Sequence, residues 1–314
     1  MKRRDFIKKT AIASAAIGVT GLAAKASGFG EEPLFKISLA EWSINKPLFA
    51  GKIDHLDFAI LAKKHGIEAV EYVNQFFMDK AEDKNYLAEM KRRADGEGVR
   101  SVLIMCDREG NLGEAEEAKR LQTVENHKKW VEAAKFLGCH SIRVNAYSSI
   151  GWSASESDFT ESQKLVADGL HRLCEFAAPY GLNVIIENHG GFTSNGRWLA
   201  GLMQRVDHPH AGTLPDFGNF RIASPENQPM VTYDAYLGVQ ELMPYAKGVS
   251  VKTMVFDDKG NRSPLDYNRM FKIVLDAGYH SFCGIEHGEE GREWESIVEV
   301  RDAMIKTREA LKQG

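Results

Sequence analysis

The chain has 314 residues, 43% of them hydrophobic, with 40 Lys and Arg against 44 Asp and Glu. That length and apolar share suit one large folded domain and exclude a disordered or fibrous chain. The acidic balance argues against nucleic acid and anionic membranes as partners and gives no help in attracting phosphorylated ligands.

The first 26 residues stand apart. Lys2-Arg3-Arg4-Asp5-Phe6-Ile7-Lys8-Lys9 is basic, residues 10–24 are mildly apolar, and Ala24-Lys25-Ala26 has the form of a small-residue cleavage site. The apolar run is too short for a membrane span. The segment looks like a twin-arginine signal peptide, which implies periplasmic localisation and export of a folded protein. No cysteine follows it, so no lipid anchor is expected. Residues 1–26 hold six Lys/Arg and one Asp, so the remainder carries 34 basic and 43 acidic residues, a net charge of −9.

Strand and helix patterns then alternate over residues 34–312. A first strand at 35–39 runs to Trp42, and Asp54 caps a helix through Leu56, Ile60 and Leu61 to Gly66. A strand at 69–73 precedes a helix at 85–96. The strand at 100–105 ends near Asp107, and a long helix at 114–137 is closed by Gly138. The fourth strand, 141–145, leads into a loop with Tyr147, Gly151 and Trp152, then a helix at 155–180. The fifth, 183–187, is Asn-Val-Ile-Ile-Glu and runs into Asn188-His189-Gly190-Gly191. A helix at 195–206, a strand at 211–216 and a helix at 233–246 follow. The strand at 248–252 precedes a helix capped by Ser263 that ends at Gly278. The last strand, 282–286, and a helix at 294–311 complete eight units.

The polar residues at the strand ends fall at 42, 71, 107, 145, 187, 216, 252 and 286, which are 29 to 42 apart. Strands alternating with helices imply a parallel sheet, and eight such units imply a single closed (β/α)8 TIM barrel. A doubly wound open sheet competes less well, because no G-x-G-x-x-G turn follows the first strand. Cys106, Cys139, Cys174 and Cys283 form no C-x-x-C pair and read as buried thiols.

Active sites of such barrels lie at the strand C-terminal ends. The inward polar groups there are Glu71, Asn145, Glu187, His189, Asp216, Asn219, Lys252 and Glu286. Three acids ending apolar strands repel one another unless a cation relieves them. Oxygen ligands suit Mg²⁺ or Mn²⁺, and a nearby imidazole extends the range to Zn²⁺ or Co²⁺. The competing reading pairs an acid with Lys252 or Arg143 and leaves His189 merely hydrogen-bonded.

The segments Ile186-Glu187-Asn188-His189, Leu214-Pro215-Asp216-Phe217-Gly218-Asn219-Phe220 and Gly284-Ile285-Glu286 carry a resemblance. They are similar to those of the xylose-isomerase-like sugar phosphate isomerase/epimerase superfamily. The resemblance implies a divalent metal held by Glu187, Asp216, Glu286 and a strand-seven histidine. It also implies that Glu187 and Glu286 are the catalytic acid–base pair, moving a proton beside a carbonyl. The chain departs from the pattern at Ser250, which stands in place of the histidine, although Lys252 is kept. Asn219 stands where epimerases often have a substrate-contacting histidine. Asn145, His189, Asn219 and Lys252 remain candidates for substrate binding. Glu71 is a candidate for binding sugar hydroxyls or for a rim salt bridge, and Trp42 and Trp152 for packing on a sugar ring. Acidic residues 286–291 disfavour a phosphorylated substrate. The expectation is an exported isomerase or epimerase of a non-phosphorylated sugar, with a small-molecule sugar as partner and a homo-oligomer left open. A lyase or dehydratase on the same scaffold, or a metal-free sugar-binding protein, are the alternatives.

Overall fold

The computed structural model describes residues 32–224, 230–256 and 260–313, so the expected signal peptide lies outside the described residues. Eight short apolar runs pair in parallel. They are β1 (Lys36–Ala40), β2 (Ala69–Val73), β3 (Arg100–Cys106), β4 (Ser141–Val144), β5 (Asn183–Glu187), β6 (Ala211–Leu214), β7 (Val249–Val251) and β8 (Phe282–Ile285). They are hydrogen-bonded in the order β6-β5-β4-β3-β2-β1-β8-β7. The two ends of that row meet. Lys247 N donates to Thr213 O at 3.0 Å, Ser250 N to Pro215 O at 2.9 Å and Phe217 N to Ser250 O at 3.0 Å, which closes the sheet into a barrel.

A helix follows each strand: α1 (Phe58–Lys64), α2 (Lys84–Gly96), α3 (Glu117–Leu137), α4 (Glu156–Ala177), α5 (Gly196–Val206), α6 (Ala235–Leu242), α7 (Tyr267–Asp276) and α8 (Glu293–Lys312). Asp83, Ser155, Asn195, Asp234 and Asp266 cap α2, α4, α5, α6 and α7 with side-chain oxygens. One expected cap is corrected. Ser263 lies in an antiparallel ribbon that pairs Met254–Phe256 with Arg262–Pro264, so its backbone is committed to a ladder, and Asp266 starts the helix instead. The helices expected to begin at residues 114 and 233 start at Glu117 and Ala235. A second ribbon pairs Arg221–Ala223 with Val231–Thr232.

The core has two layers. The larger lies between strands and helices around Trp130, Trp198, Phe35 and Phe271. The smaller fills the barrel with Ala40, Ala69, Val73, Leu103, Met105, Ile185, Leu214 and Phe282. Side chains alternate along a strand. The residues two further on from Ala40, Met105, Ile185 and Leu214 are Trp42, Asp107, Glu187 and Asp216. The apolar plug therefore becomes a polar site toward the strand C-terminal ends. All four cysteines are buried and unpaired.

Candidate active site

β5, β6 and β8 each deliver one acid to the same place. Carboxylate oxygens of Glu187, Asp216 and Glu286 lie within 4.8 Å of one another. Glu187 and Asp216 are at most 1% exposed. Such a charge density has to be compensated, and two cations do so. Lys252, at the end of β7, lies 3.2 Å from Asp216 and in direct contact with Glu286. Arg143, from β4, places Nε 3.0 Å from Glu187 Oε2, but neither atom has a hydrogen bond of good geometry. That contact is thus coulombic, and one buried Glu187 oxygen is left without a donor. The two ion pairs expected as the competing reading are present, on the same acids that are metal-ligand candidates.

The surroundings orient each group. Asn188 locks β5 to β6, accepting from Asp216 N at 2.7 Å and donating to Asp216 O at 2.9 Å. Gly218 N and Asn219 N both donate to Asp216 Oδ1 at 2.8 Å. Those two amides and Lys252 therefore hold the Asp216 carboxylate in one orientation. Asn219 Nδ2 donates to Glu187 Oε1 at 3.1 Å, so Asn219 supports a catalytic candidate directly. Ser250 Oγ stands 3.0 Å from Asp216 Oδ2 and 3.1 Å from Glu286 Oε2, linking two acids where the resemblance called for a nitrogen ligand.

The two glutamates are driven in opposite directions. Burial pushes Glu187 well above the usual carboxylate range, with Arg143 opposing and Glu286 and Asp216 adding to the rise. For Glu286 burial is again the largest single influence and would raise it. The charge and hydrogen bond of Lys252, with Arg143 and His189, outweigh burial and hold it below its ordinary value. Lys252 is itself raised: desolvation is opposed by Asp216, Glu286 and Glu187 together. An acid and a base side by side, set apart by environment, form the usual pattern for proton transfer.

Asn145 and His189 are at the same mouth. His189 Nδ1 is 2.9 Å from Tyr147 Oη and 3.2 Å from Asn145 Oδ1. Glu71 is corrected. It does not reach the rim but lies 1% exposed inside the barrel, below the acids, with Ser38 Oγ donating to it at 2.6 Å. An irregularity between Val70 and Glu71 shifts the β2–β3 register there. A Cβ on Gly284 would fall 2.5 Å from both Glu71 oxygens, so that glycine makes room for it. Trp42 lines the mouth, while Trp152 packs on the outer core and does not line it.

Sequence reasoning missed Gln75 and gave Asp107 no role beyond ending a strand. Asp107 accepts from Arg143 at 2.8 Å, from Asn145 at 2.8 Å and from Gln75 at 2.9 Å, which fixes Arg143 beside Glu187. The available signal was Arg143 itself: an arginine within an apolar strand needs a buried partner.

A family model described as "Xylose isomerase-like TIM barrel" matches residues 60–310. No curated protein matches the sequence. Solved structures do match in fold. The 3-keto-D-glucoside 4-epimerase YcjR of E. coli, in its apo form, aligns with a TM-score of 0.64 at 15% identity, covering 87% of this chain and 99% of that one. A xylose isomerase-like TIM barrel protein of Mycobacterium smegmatis, solved in complex with magnesium, gives 0.64 at 13% identity, with coverage of 87% and 96%. The probable 3-DHS dehydratase AsbF of Bacillus anthracis, involved in petrobactin synthesis, gives 0.62 at 17% identity, with coverage of 85% and 99%.

Proposed function

The chain belongs to the xylose isomerase-like TIM-barrel family, and on that premise we propose that it is an isomerase or epimerase of a non-phosphorylated sugar, moving a proton at a carbon beside a carbonyl. The observation that carries this is the convergence of Glu187, Asp216 and Glu286 at one barrel mouth beside Lys252. Glu286, held ionised by Lys252, is the base that takes the proton. Glu187, kept protonated by burial, is the acid that returns one, on the opposite face in an epimerase or at the neighbouring carbon in an isomerase. Lys252 and Arg143 place positive charge where the oxygen of the enolised sugar becomes negative. Asn145 and His189 present polar groups to the sugar hydroxyls, and Asn219 holds Glu187 in position.

The donor set fits a divalent metal. Three hard oxygen ligands lie close together, and the unpartnered Glu187 oxygen carries either the proton that burial favours or, once that proton is displaced, the ion. Glu187, Asp216 and Glu286 would hold it, with no nitrogen ligand from Ser250. When bound, the metal supplies polarisation of the carbonyl and its neighbouring hydroxyl.

The test is solvent-deuterium incorporation into keto-sugars, run beside elemental analysis. Glu187→Gln and Glu286→Gln should each lower exchange at least about 100-fold, since an amide is neither acid nor base. Asp216→Asn should mainly lower metal content. Metal-free protein that still exchanges deuterium would move the electrophile role to Lys252. Loss of a β-substituent during exchange would make the enzyme a lyase. A protein that binds sugars with neither metal nor exchange would be a binding protein, and the reading would fail.

A further inference from the structure

The end of the barrel away from the acids also has a cavity, of about 440 Å³. Arg100 and Phe282 line it and open β3 and β8, so it lies at the N-terminal ends of the strands. Nothing in the proposed reaction uses it. Its cations are Lys36, Arg100, Arg301 and Arg308, against one acid, Glu68, which Lys63 holds at 2.6 Å. That excess is the reverse of the balance in the whole chain, where acids outnumber bases. Arg301, Ile305 and Arg308 are spaced by four and three along α8 and so share one face.

The arginines are not equally occupied. Arg301 is paired with Asp302 at 2.6 Å and donates to the His65 carbonyl. Arg308 spends one nitrogen on Phe35 O at 3.1 Å, and Glu309 lies 3.8 Å from its Nε; its Nη2 makes no hydrogen bond with any described residue. Arg100 is exposed and stands over the Phe282 ring at 5.3 Å. Its guanidinium makes no hydrogen bond or ion pair with any described residue. The rest of the lining includes apolar surface: Phe282 belongs to the barrel plug, and Ile305 is left 36% exposed. A guanidinium is a planar fork that fits a carboxylate. A small inorganic anion would leave the apolar surface uncovered, and a neutral apolar molecule would leave the forks unpaired.

We infer that this cavity binds an organic carboxylate with an apolar body. The carboxylate pairs with Arg100 and Arg308, and the body covers Phe282 and Ile305. This site is separate from the barrel mouth and does not depend on the proton-transfer reading.

The experiment is calorimetry on the full chain at low salt with three probes: octanoate, acetate and 1-octanol. Octanoate should bind at about one per chain with a Kd below about 1 mM, at least about tenfold tighter than either other probe. Added salt should weaken it. Arg100→Gln should raise the Kd for octanoate at least about fivefold, and Arg308→Gln should do the same. Arg308→Gln also removes the bond to Phe35 O, so Arg100→Gln, at an exposed side chain with no such bond to lose, decides the matter. No binding of octanoate, or binding unchanged in Arg100→Gln, would overturn the inference. Acetate as tight as octanoate would make this a bare anion site, and 1-octanol as tight would make it an uncharged cleft; either result would overturn it as well.

Discussion

At the scale of single residues, Ser250 bears on the proposed cation site, because it sits between two of the acids that would form it. A hydroxyl has one proton to donate, yet Ser250 Oγ faces carboxylates of both Asp216 and Glu286. It can satisfy only one at a time and is a weak metal ligand in either arrangement. Ser250→His should add a nitrogen ligand and tighten the metal at least about tenfold, measured by competition with a chelator; unchanged affinity would mean that the imidazole does not reach the ion. Glu71 poses a different question. Its carboxyl is pushed up to about 7, chiefly by burial, with Ser38 opposing. A raised pKa means that the folded state prefers the protonated form. Stability is therefore unaffected below the unfolded value near 4.5, falls as pH rises toward 7, and is flat above. The total loss is roughly 3 kcal/mol. Glu71→Gln should remove that slope, so its stability relative to wild type should rise between pH 5 and 8 in urea unfolding. Glu187, Asp216 and Glu286 were legible because each ends an apolar strand. Glu71 was misjudged because residue type and strand position say that it points inward, but not how deep the register sets it.

At the scale of elements, cap and stop residues were the legible part. Asp54 caps a helical turn as expected, the helices expected from residues 155 and 195 start there with Ser155 and Asn195 as their caps, and Gly138 and Gly181 end helical segments at φ 82° and 69°. Ser263 and Asp266 are equivalent by local chemistry. The ribbon with Met254–Phe256 chooses between them, and that pairing is tertiary. A glycine in α4 shows the same conflict energetically. Gly169→Ala improves helix propensity by about 1 kcal/mol. The new Cβ would, however, lie 2.2 Å from the carbonyl oxygen of Leu112, a backbone atom with little freedom to move. The clash should win, with a net loss of roughly 1–3 kcal/mol. Denaturant titration checks this, and a more stable variant would show that Leu112 yields easily.

At the scale of the whole molecule, we propose that residues 1–26 direct export by the twin-arginine route. Fusion of residues 1–26 to a reporter should carry it to the periplasm, and replacing Arg3 and Arg4 by Lys should stop that export; unchanged export would remove the twin-arginine assignment. A chain of net charge −9 after that segment, with three acids at its site, should turn over a neutral sugar faster than its phosphate ester. Kinetics on the matched pair test this directly. The closure of the barrel has its own consequence. Asp216 and Lys252 stand on opposite sides of the β6–β7 junction, which three backbone bonds hold shut. Any ligand that grips both sides works as a clasp, and the amides of Phe217 and Ser250 become its gauge: their exchange with heavy water should slow when the site fills, reporting occupancy from the backbone without any chemistry taking place.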